Sequence, residues 1–188
     1  MNMADANLMI ELSMAELREI TGYAVACAAP ALVIFERDCS DDRRPRAVLD
    51  EARKFAAGGK RTKVLRVTAL DAHRAARAAR DREHEAAVDA ARAAGHAGAA
   101  AYLHPLAKAT QVLHILGAAA HAARALELDA ADEPDIGVDY LEKARGLAGP
   151  IVVSVLTRYP PAPSGGRRVG ELLRRLDASL RQGRPIVD

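Results

Sequence analysis

Apolar residues recur along this chain with the three-and-four spacing of helices, and helix punctuation cuts the pattern into segments. Ser13-Met14-Ala15-Glu16 has the form of a capping box, in which the serine hydroxyl accepts from the third helical amide and the glutamate reaches back to the cap amide. A first helix is predicted from there, with Leu17, Ile20, Ala24, Cys27, Ala28 and Ala31 on its buried face. Pro30 predicts a kink or restart before Leu32 to Glu36. Asp38 to Arg44 reads as a polar loop. A second helix is expected from about Pro45 to Ala57, closed by Gly58-Gly59. Thr62 caps a third, to about Arg80, and an alanine-rich fourth covers about Arg82 to Ala101. Its small side chains predict close approach by a neighbouring helix.

His104-Pro105 restricts the backbone before the proline and predicts a helix restart through Lys108, Gln111, His114, Gly117, His121 and Arg124 to about Leu128. Asp132 to Pro134 opens a sixth helix ending near Gly146, and Gly149-Pro150 opens a seventh. Ile151 to Leu156 is β-branched enough for a strand. No partner strand is predicted elsewhere, and a lone strand leaves its backbone unpaired, so the segment is read as helix. Tyr159 to Gly166 is a stiff proline loop with a flexible end, and Val169 to Gln182 is a last amphipathic helix. The expectation is all-α: one compact helical domain of seven or eight helices over 13–182, with tails at 1–12 and 183–188.

Composition narrows the class. Hydrophobic residues are 50% and charged residues 28% of 188, enough apolar surface for a core. With 27 Lys plus Arg against 25 Asp plus Glu the net charge is +2, too small to drive nucleic-acid or membrane binding by bulk field. Tryptophan is absent and aromatics are 3%, so base stacking has little to work with and nucleic acid is not the expected partner. Cys27 and Cys39 have no metal-ligand spacing and are read as reduced thiols. Met1 to Leu12 lacks a basic start followed by an apolar run, and no segment offers about 18 uncharged apolar residues, so no membrane is expected and the cytoplasm is the expected location. Nothing in the pattern specifies an oligomeric state.

Gly58-Gly59-Lys60-Arg61-Thr62 differs from a phosphate loop, because Arg61 follows the lysine and Lys54 stands at the first glycine position. His-Glu-x-x-His, Gly-x-Ser-x-Gly and calcium-loop patterns are absent. No catalytic residue, metal or cofactor is expected. Three polar features remain. Thr110, His114, Gly117 and His121 share one stripe of the predicted fifth helix; its two imidazoles lie about 10.5 Å apart along the axis, too far for one metal. Gly117 there leaves a notch for a ligand or a partner side chain, or the histidines simply bond to neighbouring helices. Arg66, His73, Arg77 and Arg80, flanked by Lys63 and Arg74, form a basic stripe on the third helix that docks carboxylates or phosphates, or is only a solvated face. Asp71 falls between Val64 and Val67 on an apolar face and predicts a salt bridge to an arginine of another helix. Tyr102, His104, Lys108 and Gln111 gather at the predicted start of the fifth helix, which favours an anion.

The run from Ala101 to Leu128, Ala-Tyr-Leu-His-Pro-Leu-Ala-Lys-Ala-Thr-Gln-Val-Leu-His-Ile-Leu-Gly-Ala-Ala-Ala-His-Ala-Ala-Arg-Ala-Leu-Glu-Leu, resembles the fifth family of immunity proteins from bacterial polymorphic toxin systems. Arg61-Thr62-Lys63-Val64-Leu65-Arg66 and Leu156-Thr157-Arg158-Tyr159-Pro160-Pro161 add to the likeness, which spans about Glu11 to Arg181. The resemblance implies an all-helical cytoplasmic protein that binds and neutralises a cognate toxin, and it transfers no site residues. A competing expectation is a small-molecule-binding protein or small enzyme using Asp71, His104, Lys108, Gln111, His114 and His121. Convergence of His114, His121, Lys108 and Asp71 on one apolar-walled pocket favours the ligand, and their scatter favours a protein partner.

Overall fold

A computed structural model describes residues 8–186, and the capping box stands at the head of its first helix. Ser13 Oγ accepts from the Glu16 amide at 3.1 Å, and the Ser13 amide donates to Glu16 Oε2 at 2.8 Å. Eight α-helices follow: α1 Met14–Asp38, α2 Arg44–Ala56, α3 Lys63–Asp81, α4 Glu85–Ala100, α5 Val112–Asp129, α6 Pro134–Leu147, α7 Pro150–Leu156 and α8 Arg167–Gln182. The described residues contain no strand, only an isolated bridge between Met9 and Leu106. The protein is a single all-α domain, and the segment at 151–156 is helical.

α1 runs unbroken through Pro30, without the predicted restart. Ala26, Pro30 and Val33 lie together on its exposed side, so the carbonyl that loses its amide partner faces water, which can satisfy it. At 25 residues α1 is long and apolar enough to cross a bilayer by length and composition alone. Here its apolar face, including Ile20, Ala24, Ala28 and Phe35, is buried in the core.

α4 lies at the centre, packed against α1, α3 and α5. Ala87, Ala90, Ala94 and Ala97 are fully buried along it, and such side chains let backbones come close. At Gly98 an added Cβ would stand 2.4 Å from Val48 Cγ2 and 3.1 Å from Ala69 Cβ. Larger side chains, Phe35, Phe55, Leu49, Ile115, Leu141 and Leu172, fill the spaces between helices, each contributing about 1.5–3 kcal/mol by burial.

Residues 104–108 are not helical. The Ile10 amide donates to Pro105 O at 2.7 Å and the Ala107 amide to Leu8 O at 2.9 Å, so this stretch is extended against the N-terminal residues. A 3-10 turn over Ala109–Gln111 leads into α5, which begins only at Val112. α8 straps down the proline loop before it. Arg174 donates to Gly165 O at 2.6 Å, Asp177 accepts from the Ala162 amide at 2.9 Å, and Arg181 donates to the carbonyls of Leu156, Tyr159 and Pro160. Gly165 and Gly166 make the turn into α8 with φ of 86° and 79°, where other residues would be strained.

Candidate functional site

Glycines within alanine-rich helices cost helix stability, so each marks a place where something needs the space. On α4, Gly95 receives His73 of α3: an added Cβ would stand 2.8 Å from His73 Nε2. On α5, Gly117 receives His96 of α4, with 3.1 Å between such a Cβ and the ring. The notch predicted at Gly117 is therefore present, and a histidine fills it. The result is a column across three helices. His73 meets His96 edge to face with centroids 5.3 Å apart, and His96 stacks on His121 at 4.9 Å and 11°. His121 Nδ1 then lies 2.7 Å from Asp89 Oδ1, with both residues less than a tenth exposed. Arg92 approaches the same carboxylate at 3.7 Å.

Desolvation pushes the His96 pKa well below the ordinary imidazole value, and the neighbouring His121 and His73 push the same way. His73 is lowered by its partial burial and then by His121. Burial also lowers His114, partly offset by its bond to Ala99 O at 3.3 Å. The column ends at a cavity of about 800 Å³ between α4, α5 and the start of α8, lined by Asp89, His121 and Arg92 among others.

The other predicted site residues are dispersed. His73 turns inward and leaves the basic stripe, because Gly95 gives it a seat. Arg66 lies over the Tyr102 ring at 4.6 Å, Arg77 is exposed on the outer side of α3, and Arg80 lies at the cavity rim. Asp71 pairs with Arg74 of its own helix at 2.6 Å, not with another helix. Its surroundings explain this: Val64, Val67 and Leu70 are 54%, 41% and 55% exposed, so the face that holds Asp71 is the outside of α3. The core face is instead Leu65, Ala69, Ala72, Ala76 and Ala79.

The predicted anion cluster ahead of α5 is taken up by local bonds, since its backbone is extended. Gln111 Oε1 accepts from the His104 amide at 3.0 Å, His104 Nδ1 accepts from the Leu106 amide, and Tyr102 OH donates to Thr62 O. Lys108 is exposed. Of His114, His121, Lys108 and Asp71, only His121 lines the cavity, so the four do not converge. Among the described residues no group of three or more His, Cys, Asp or Glu is placed to hold a metal ion. Both cysteines are free and buried, with burial pushing the Cys27 thiol up to about 12.

Sequence reasoning passed over Asp89, Arg92, His96 and the buried Glu127. Gly95 and Gly117 were the available signal, two costly residues at the sites where histidines enter.

No curated protein and no solved structure matches this chain. The family model described as Imm-5 like putative immunity protein matches residues 11–145, from the segment before α1 into α6. With that much of its 188 residues matched, the chain belongs to the Imm-5-like immunity protein family.

Proposed function

We propose that this protein neutralises a cognate bacterial toxin by binding it in the cytoplasm, and that the outer face of α3 is the surface that docks. The observation that carries the docking surface is the composition of that face. Val64, Val67 and Leu70 stand in solvent next to Lys63, Arg66, Arg74 and Arg77. Arg74 is held by Asp71, while Arg66 and Arg77 have no carboxylate partner among the described residues. An aliphatic strip edged by unpaired guanidinium groups is complementary to an apolar patch bordered by Asp or Glu, and arginine often anchors such interfaces. α3 lies wholly inside the segment that matches the family. Dispersal of the predicted ligand-pocket residues also favours a protein partner.

This reading predicts a toxin gene beside this one, and that toxin provides the test; if none is encoded there, the immunity reading is wrong. Co-expressed wild-type protein should bind it and restore growth. Leu70→Asp and the pair Arg66→Glu/Arg77→Glu, all at exposed positions, should keep their helicity. Each should weaken binding by roughly a hundredfold or more, the scale of lost interface anchors. If the wild type neither binds nor protects, the immunity reading is wrong. If both variants protect as well as the wild type, the interface lies elsewhere.

A further inference from the structure

The cavity at the end of the histidine column is not explained by docking on α3, and its α8 wall lies beyond the segment that matches the family. Its most buried polar side chains are Asp89 and His121, and Leu113, Leu128, Val169 and Leu173 form an apolar wall. Arg80, Arg92 and Arg167 also line it, with Arg80 and Arg167 at its exposed side. We propose that this cavity binds a small organic oxyanion, a carboxylate or phosphate ester carrying a short apolar body.

The charge balance carries the anion. Two further lining arginines are already neutralised: Arg124 by Glu127 and Asp132, and Arg168 by Glu127 and Glu171. Asp89 is committed to His121 at 2.7 Å and attracts Arg92 at 3.7 Å. Among the described residues Arg80 and Arg167 have no carboxylate partner, and against them stands one remaining lining acid, Glu85, exposed as they are. Two unpaired guanidinium groups and a third that is loosely held therefore line one concave space against a single unpaired carboxylate, an excess of positive charge suited to a planar carboxylate or a phosphate.

Two further features act in the same direction. α8 starts on Gly166 without a side-chain cap, and Gly166 to Gly170 line the cavity, so first-turn amides lacking helical partners border it. Arg174 holds the Gly165 carbonyl at 2.6 Å, which fixes that wall before any ligand arrives. At the inner end His121 is fixed through Nδ1 by Asp89 at 2.7 Å, and its ring lines the cavity. The aliphatic wall would cover a ring or short chain but contributes nothing to a bare inorganic ion.

Calorimetry on the full chain with phenyl phosphate, benzoate and inorganic phosphate tests this, together with the imidazole resonances of His121. At least one organic anion should bind saturably and shift His121, and inorganic phosphate should bind roughly tenfold more weakly or not at all. Arg80→Gln/Arg167→Gln, at two exposed positions, should weaken the organic anion by roughly tenfold or more, whereas Arg66→Gln/Arg77→Gln should leave it unchanged. The proposal is overturned by absence of saturation with either organic anion up to about 10 mM. Inorganic phosphate binding as tightly as the organic anions, a shift that spares His121, or equal loss in both double variants overturns it too.

Discussion

Glu127, a carboxylate with no exposed surface, lies between two arginines from different helices. Arg168 of α8 donates Nε and Nη2 to Oε1 at 3.0 and 2.6 Å, and Arg124 donates to Oε2 at 2.8 Å. Gly137 of α6 leaves the space for it, since a Cβ there would lie 2.1 Å from Oε1. Three helices thus meet on one charge. A buried ion network adds little beyond an apolar substitute, but removal of one member leaves the others uncompensated. Glu127→Ala should therefore cost about 3–5 kcal/mol in urea unfolding. Glu127→Gln, which keeps acceptor and shape, should cost less. Gly137→Ala should be damaging as well, because the carboxylate it meets is held from both sides and cannot withdraw. A loss under about 1 kcal/mol for Glu127→Ala would show that Arg124 and Arg168 are satisfied by Asp132 and Glu171 alone.

Among the helices, α4 owes its position to small residues more than to large ones. Replacing glycine by alanine inside a helix gains about 1 kcal/mol from propensity. At Gly98 the new methyl would meet Val48 at 2.4 Å and the Ala69 Cβ and Cα at 3.1 and 3.6 Å, and overpacking typically costs about 1–3 kcal/mol. Gly98→Ala should therefore be net destabilising, whereas Gly146→Ala in α6, with nothing within 4 Å, should be neutral or raise Tm by about 2–4 °C. Thermal melts of the two variants decide it, and a stabilised Gly98→Ala would mean that α2 and α3 yield easily. Helix ends were legible because caps are local: Ser13, Thr62, Gly58-Gly59 and Pro150 each act on their own turn. The extended stretch at 104–108 was not, because its hydrogen-bond partners are Leu8 and Ile10, about a hundred residues away. On α3 the chain carries two apolar stripes, one of alanines and one of larger aliphatics. Size suggests that the larger stripe is buried, yet the alanines are in the core because α4 approaches too closely for anything bigger. The candidate cavity was least legible, since Asp89, His121, Arg80 and Arg167 come from four helices and no local pattern joins them.

At the scale of the whole molecule, three buried histidines, two of the column and His114, make stability depend on pH in a window separate from that of the carboxylates. His73, His96 and His114 all have pKa values lowered by burial, while in the unfolded chain each returns to about 6.5. Below that value the unfolded chain binds protons that the folded protein refuses, so acid favours unfolding. The stability these groups contribute is present above about pH 6.5 and is lost as pH falls through their lowered folded values. Each fully differential group adds about 1.4 kcal/mol per pH unit, so three give at most about 4 kcal/mol per unit. His96 has most at stake, because desolvation first, and then His121, His73, His114 and Arg92, oppose a positive charge there. The carboxylates act later. Glu16 is held down to about 2 by Arg158 and the Ser13 amide, and Glu36, Asp42 and Glu142 are lowered by their arginines, so their contribution fades only below about pH 4.5. Tm should thus be level near pH 7–8, fall between about pH 6.5 and 5, and fall again in stronger acid. His96→Gln, neutral throughout, should flatten the first fall by up to about one proton's worth of slope while leaving the second in place. Level stability from pH 8 down to about 5 would show that His73, His96 and His114 accept protons as readily in the folded protein as in the unfolded chain.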